Sequence, residues 1–118
     1  MLEYWLAIMG KTIYRIVHTP EGLLEGNSTR PDRVGSVAKN LNELAQKGRD
    51  GEEDVSFVYD ETDISDMTHN DRGARVVVGG GMRERCVATY VMKLHDAGFT
   101  NIKVPDDLTI SETDLNRD

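Results

Sequence analysis

The chain has a single cysteine, Cys86, so no disulfide can form within it, and a reduced, cytoplasmic setting is the expectation. It has three prolines and no repeated or low-complexity tract, which excludes solenoid arrays and Pro-rich spacers. No apolar run approaches the roughly 18 residues that a membrane-spanning helix needs, so no membrane is expected. Positive charge is scarce: 14 basic residues face 21 acidic ones, a net charge of −7. Phosphate contacts need a basic face, so nucleic acid is not expected as a partner. The opening stretch MLEYWLAIMGK lacks the basic start of a signal peptide. Its Leu2, Trp5, Leu6 and Met9 fall at helical spacing, and residues 1–10 are expected to form an apolar extension over the sheet or a partner.

What is present suits one domain: 118 residues, 38% hydrophobic and 30% charged. The β-branched stretch KTIYRIVHT predicts a strand at 12–18. Pro20, Gly22, Gly26 and Asn27 mark a loop. A helix follows, opened by Pro31 and Asp32, striped by Val34, Val37, Leu41 and Leu44, and closed by Lys47 and Gly48. VSFVY predicts a strand at 55–59, and residues 60–73 read as loop. The run ARVVVG at 74–79 is a strand of the kind buried on both faces in parallel sheets. Val87, Tyr90, Val91, Leu94 and Ala97 stripe a second helix that Gly98 ends. A short strand at 101–104 stops at Pro105, and residues 109–118 read as an acidic tail that frays.

Strands alternating with helices imply an α/β fold. The expectation is a single domain over residues 11–108, small, three-layered and Rossmann-like. Its parallel four-stranded sheet has the order 2-1-3-4, with one main helix on each face. Two helices on four strands leave apolar sheet surface to cover, so a homodimer or larger homo-oligomer is expected.

The chemistry concentrates after the third strand. Gly79, Gly80 and Gly81 followed by a helix start form a candidate anion site, without a Walker or full dinucleotide signature. Arg83 and Arg85 would supply positive charge to the ligand. They would also favour the thiolate of Cys86, one turn into the helix, as would the helix dipole. Cys86 reads either as a nucleophile or as a small buried hydrophobe. Asp60, Asp63, Asp66 and His69 recur every third residue. Asp60, Asp63 and His69 are candidate cation ligands, against the alternative of a solvated acidic loop. His95 reads as a surface residue.

Residues 74–111, ARVVVGGGMRERCVATYVMKLHDAGFTNIKVPDDLTIS, resemble the signature of the isochorismatase-like hydrolases, which include nicotinamidases and related amidohydrolases. The matching parts are Gly79, the pair Cys86 and Val87 opening a helix, Ala88 and Thr89, Ala97 and Gly98, and the turn PDDLTIS. Upstream, YRIVHTPEGLLEG is similar to the family's first strand, and RVGSVAKNLNELAQKGRDGEEDVSFVYDETD to its next helix and strand. The resemblance implies that Cys86 attacks an amide or related carbonyl, with backbone N–H groups near Arg85 and Cys86 receiving the oxyanion. His18 stands where the family has an aspartate base, and an imidazole serves that role near neutral pH. No lysine lies between Lys47 and Lys93, so the family's supporting lysine has no counterpart, and the middle segment is shortened. Asp60 lies where some nicotinamidases hold a metal, without their ligand spacing. The function implied is hydrolysis of a small-molecule amide or ester, with no cofactor. The alternatives are an inactive module of the same fold that binds a small anionic ligand or a protein partner, and a small nucleotide-binding signalling domain.

Overall fold

The computed structural model describes residues 11–18 and 33–115; the expected extension 1–10, the loop at 19–32 and residues 116–118 lie outside the described residues. β-Branched residues dominate Thr12–Val17, which is extended as β1. Arg33–Arg49 is helix α1, and its buried Val34, Val37, Ala38, Leu41 and Ala45 follow the spacing of one helical face. Asp54–Val58 forms β2 and Arg75–Gly81 forms β3. A π-helical turn over Arg83–Val87 runs into α2, Ala88–Asp96. Two short strands follow, β4 at Ile102–Lys103 and β5 at Thr109–Ile110, and then one turn of helix, α3, at Glu112–Leu115.

The sheet is parallel throughout, in the expected order β2-β1-β3-β4, with β5 added against β3. β3 lies at its centre. One edge pairs with β1 from Arg75 to Gly80; the other carries β4 beside Val76 and Val77, then β5 beside Gly80 and Gly81. Burial on both faces explains the unbroken apolar run: Val76 and Val78 are 0% exposed and Val77 is 4% exposed. On one face Val17, Val58, Val76 and Val78 pack with Val87, Tyr90, Leu94 and Phe99. On the other, Ile16 and Ile110 pack with Val34, Val37, Ala38 and Leu41 of α1. Each large side chain so buried contributes about 1.5–3 kcal/mol. A helix thus covers each face. Among the described residues the large hydrophobics left exposed are Tyr59 and Met92, not a bare sheet surface of the kind that suggested a second copy.

Residues 109–115 differ from the expected acidic tail. Thr109 and Ile110 are buried in β5, and Asp114 is 8% exposed. Arg33 holds this segment to α1: its Nε donates to Asp114 Oδ1 at 3.1 Å and its terminal nitrogens donate to the Asp106 and Thr109 carbonyls. The Ser111 N–H also donates to the Asp114 carboxylate, at 2.9 Å. A two-residue strand among acidic neighbours is too short to leave a period in the sequence, which is why composition read as solvated tail.

The glycine at the end of α2 behaves as its position suggested. Gly98 has φ +99°, and the Phe99 N–H reaches the Leu94 carbonyl while the Gly98 N–H reaches that of His95, a Schellman closure with Phe99 buried behind it. The first helix ends differently: α1 continues one residue past Gly48, whose backbone packs against Val55.

Two outcomes follow from this packing. Gly98→Ala forces a Cβ into the left-handed region and should cost about 1–2 kcal/mol, read as a lower denaturant midpoint at unchanged slope. Burial disfavours the charged form of Asp114, but the Ser111 N–H and the Arg33 guanidinium outweigh it and hold the carboxyl below its usual range. Such a group stabilises the fold above the unfolded value of about 3.9, and that contribution fades as pH falls toward the lowered folded value. Asp114→Asn should therefore be less stable than the parent at neutral pH, and the gap should shrink as urea midpoints are followed down into acid. A gap independent of pH would show that the carboxylate charge is not what holds α3.

Candidate functional site

β1 ends at Val17, and the next residue extends its ladder by one bond, the His18 N–H donating to the Val58 carbonyl at 3.0 Å. His18 then takes φ +44°, a left-handed turn uncommon for a side chain of this size. Its imidazole meets the loop that leaves β2, with Nε2 at 2.6 Å from Glu61 Oε2. That loop is built from local turns. Asp60 Oδ1 accepts from the Thr62 N–H and hydroxyl at 2.9 and 2.6 Å, and Asp63 Oδ1 accepts from the Ser65 N–H at 2.9 Å. Arg15, buried in β1 at 5% exposure, reaches out to Asp66 at 2.9 Å and Asp54 at 3.2 Å and so ties the loop to the sheet.

Cys86 arrives from the third strand. After β3 the chain folds so that the Met82 carbonyl accepts from the N–H groups of both Arg85 and Val87, which sets the π-helical turn and leaves the thiol half-buried at the rim of the core. His18, Glu61 and Cys86 thus follow the carboxyl ends of β1, β2 and β3, three adjacent strands. This is the end of an open parallel sheet where ligands bind. The nitrogen, oxygen and sulfur that they offer all lie within 4.8 Å of one another.

The electrostatics run opposite to the expected thiolate. Burial raises the Cys86 thiol above its usual range, and the Glu61 carboxylate raises it further by its charge and by accepting the S–H hydrogen; the Met82 N–H and Arg85 act the other way and lose. Glu61 itself is held below the usual carboxylate range, chiefly by the His18 hydrogen bond. The two arginines expected to favour the thiolate are engaged elsewhere. Arg83 Nε donates to Thr109 Oγ1 at 2.9 Å and its guanidinium lies 3.3 Å from Asp106, while Arg85 pairs with Glu112.

The expected anion cradle is also filled by the chain itself. Gly79 and Gly80 are buried within β3, and a Cβ at Gly79 would lie 2.8 Å from the Leu108 carbonyl oxygen; Gly81 faces Ile110. Gly79 admits the turn before β5 rather than a ligand. The Arg85 N–H, expected among the oxyanion donors, is spent on Met82. Asp60 and Asp63 serve their own turns, and His69 stands exposed in a 3-10 turn at His69–Asp71. Among the described residues, the group whose donor atoms converge is His18, Glu61 and Cys86, not Asp60, Asp63 and His69.

A cleft of about 410 Å³ opens beside the loop, lined by Phe57, Tyr59, Asp60, Asp63 and Asp66 among others. Asp60 of that wall adjoins Glu61 in the chain, but His18, Glu61 and Cys86 do not themselves line the cleft. Glu61 was not legible as a site residue. It is one of four acidic residues in DETDISD, and no spacing distinguishes the one that turns inward. The expected strand order already set β2 beside β1; what the sequence does not carry is which acid of the following loop turns back to His18.

The fold is α/β with a parallel sheet, and the site is a thiol, an imidazole and a carboxylate at that sheet's carboxyl end. No family model, curated protein or solved structure matches the chain.

Glu61→Gln removes the charge that disfavours the thiolate. The pH profile for alkylation of Cys86 by iodoacetamide should move to lower pH, with a several-fold faster rate near neutrality. A profile that stays in place would mean that the carboxylate does not face the sulfur.

Proposed function

We propose that the chain hydrolyses a small-molecule amide or ester through Cys86, in the manner of the isochorismatase-like hydrolases that it resembles. The observation that carries this reading is the convergence of Cys86 with His18 and Glu61 beyond three adjacent strands. The family's aspartate and lysine are missing, and this pair offers the same two properties: a carboxylate to take the thiol proton and a nitrogen base able to carry positive charge beside it. Sulfur attacks the carbonyl carbon as its proton passes to the Glu61–His18 pair. The amine or alcohol leaves with that proton and a thioester forms on Cys86. Water activated by the same pair then releases the acid and restores the thiol. The loop that carries Glu61 also carries Asp60, Asp63 and Asp66, and its negative charge favours a neutral or cationic substrate over an anionic one.

One observation favours the second reading, a non-catalytic ligand-binding module. The resting thiol is held protonated by burial and by Glu61, so it is not a preformed nucleophile.

Turnover of a panel of small primary amides and aryl esters separates the two. Hydrolysis is expected to fall to background in Cys86→Ala, and kcat to fall about 10²–10⁴-fold in Glu61→Gln and His18→Ala. Mass spectrometry of the parent should trap an acyl group on Cys86. Binding without turnover, or turnover that survives Cys86→Ala, sinks the hydrolase.

A further inference from the structure

We propose that His18, Glu61 and Cys86 form a three-ligand binding site for a Zn2+-class cation, with a fourth position left for water. The donor set selects the ion. Thiolate and imidazole suit Zn2+ and its borderline-soft relatives, whereas Mg2+ and Ca2+ take oxygen ligands. The geometry is close to what is needed. Metal–ligand bonds of about 2.0–2.3 Å place tetrahedral ligands roughly 3.3–3.8 Å apart. Here the three donor atoms lie within 4.8 Å of one another, and the shortest pair, His18 Nε2 to Glu61 Oε2 at 2.6 Å, has only to open. Each ligand follows the end of a different strand of one sheet, which delivers all three to the same end. The Met82 N–H that already points to the sulfur gives the thiolate an outer-shell donor. A divalent cation would also remove the conflict between the Glu61 carboxylate and a thiolate beside it, with the thiol proton released to solvent. The inference goes beyond the hydrolase reading: a bound ion would occupy the sulfur that hydrolysis needs, and the site requires no turnover to exist.

The test uses the full, metal-free chain titrated with Co2+ as a spectroscopic stand-in, followed by displacement with Zn2+. A thiolate-to-cobalt charge-transfer band should grow to one equivalent and vanish as Zn2+ is added. The band should be absent in Cys86→Ser. Zn2+ affinity by calorimetry should fall in His18→Ala and in Glu61→Gln by more than the roughly 10–100-fold that loss of an outer-shell partner costs. Stoichiometric Zn2+ should also slow iodoacetamide at Cys86 in the parent chain, a readout that stands even where a variant fails to fold. Absence of the band, equal Zn2+ affinity in Cys86→Ser, or alkylation indifferent to Zn2+ would overturn the site. A chain with the band but no hydrolysis would remove the enzyme reading alone, and hydrolysis without the band would remove the metal site alone.

Discussion

The structure depends on β3 having a strand on each edge and a helix on each face. A strand so enclosed buries both its faces, and after the exposed Arg75 it meets that demand with three successive valines. Its second half meets a different one. Where β4 ends, the turn at Leu108 and then β5 come against β3, and the Leu108 carbonyl leaves no room for a Cβ at Gly79. Gly79 is therefore a packing requirement of the sheet's far edge, while Gly80 meets a conformational one, with φ +103°. Everything beyond them inherits its position from that contact: the Met82 carbonyl that shapes the π-helical turn, and the thiol that the turn presents.

Charge is divided between two tasks. The arginines after β3 stabilise the C-terminal segment, Arg83 through Thr109 and Asp106 and Arg85 through Glu112, while Glu84 accepts from the Ser111 hydroxyl and the Glu112 N–H. This leaves the thiol facing a carboxylate. The site's polarity is set by the loop after β2, which Arg15 and two aspartate-centred turns fix in place. An ionised Glu61 between an imidazole and a thiol is a poor setting for a free thiolate and a good one for a proton acceptor or a metal ligand.

The sheet order, both helices and the role of Gly98 were legible because each rests on a period or a cap that spans several residues. The valine run of β3, the α1 stripe from Val34 to Ala45 and the glycine after α2 are signals of that kind. His18 and Cys86 were paired through the family resemblance, and the parallel sheet delivers both to one end. What escaped depends on single contacts between distant residues. Glu61 is one acid among several, Arg15 is a charge in a strand that reads as apolar, and Thr109 and Ile110 are too few to show alternation. The glycines misled for a related reason: a glycine admits either a ligand or another backbone, and only the location of Leu108 decides between them. The same holds for Arg83 and Arg85, whose partners lie more than twenty residues downstream.

The late position of β5 bears on how the sheet is closed. Gly80 and Gly81 acquire their outer neighbours only from Thr109 and Ile110, and Arg33 of α1 finds its carboxylate only in Asp114. The outer rim of the glycine half of β3 is thus closed by a segment that follows both main helices in the chain. Until that segment docks, the central strand keeps an open, hydrogen-bonding rim, the kind of edge that recruits foreign strands.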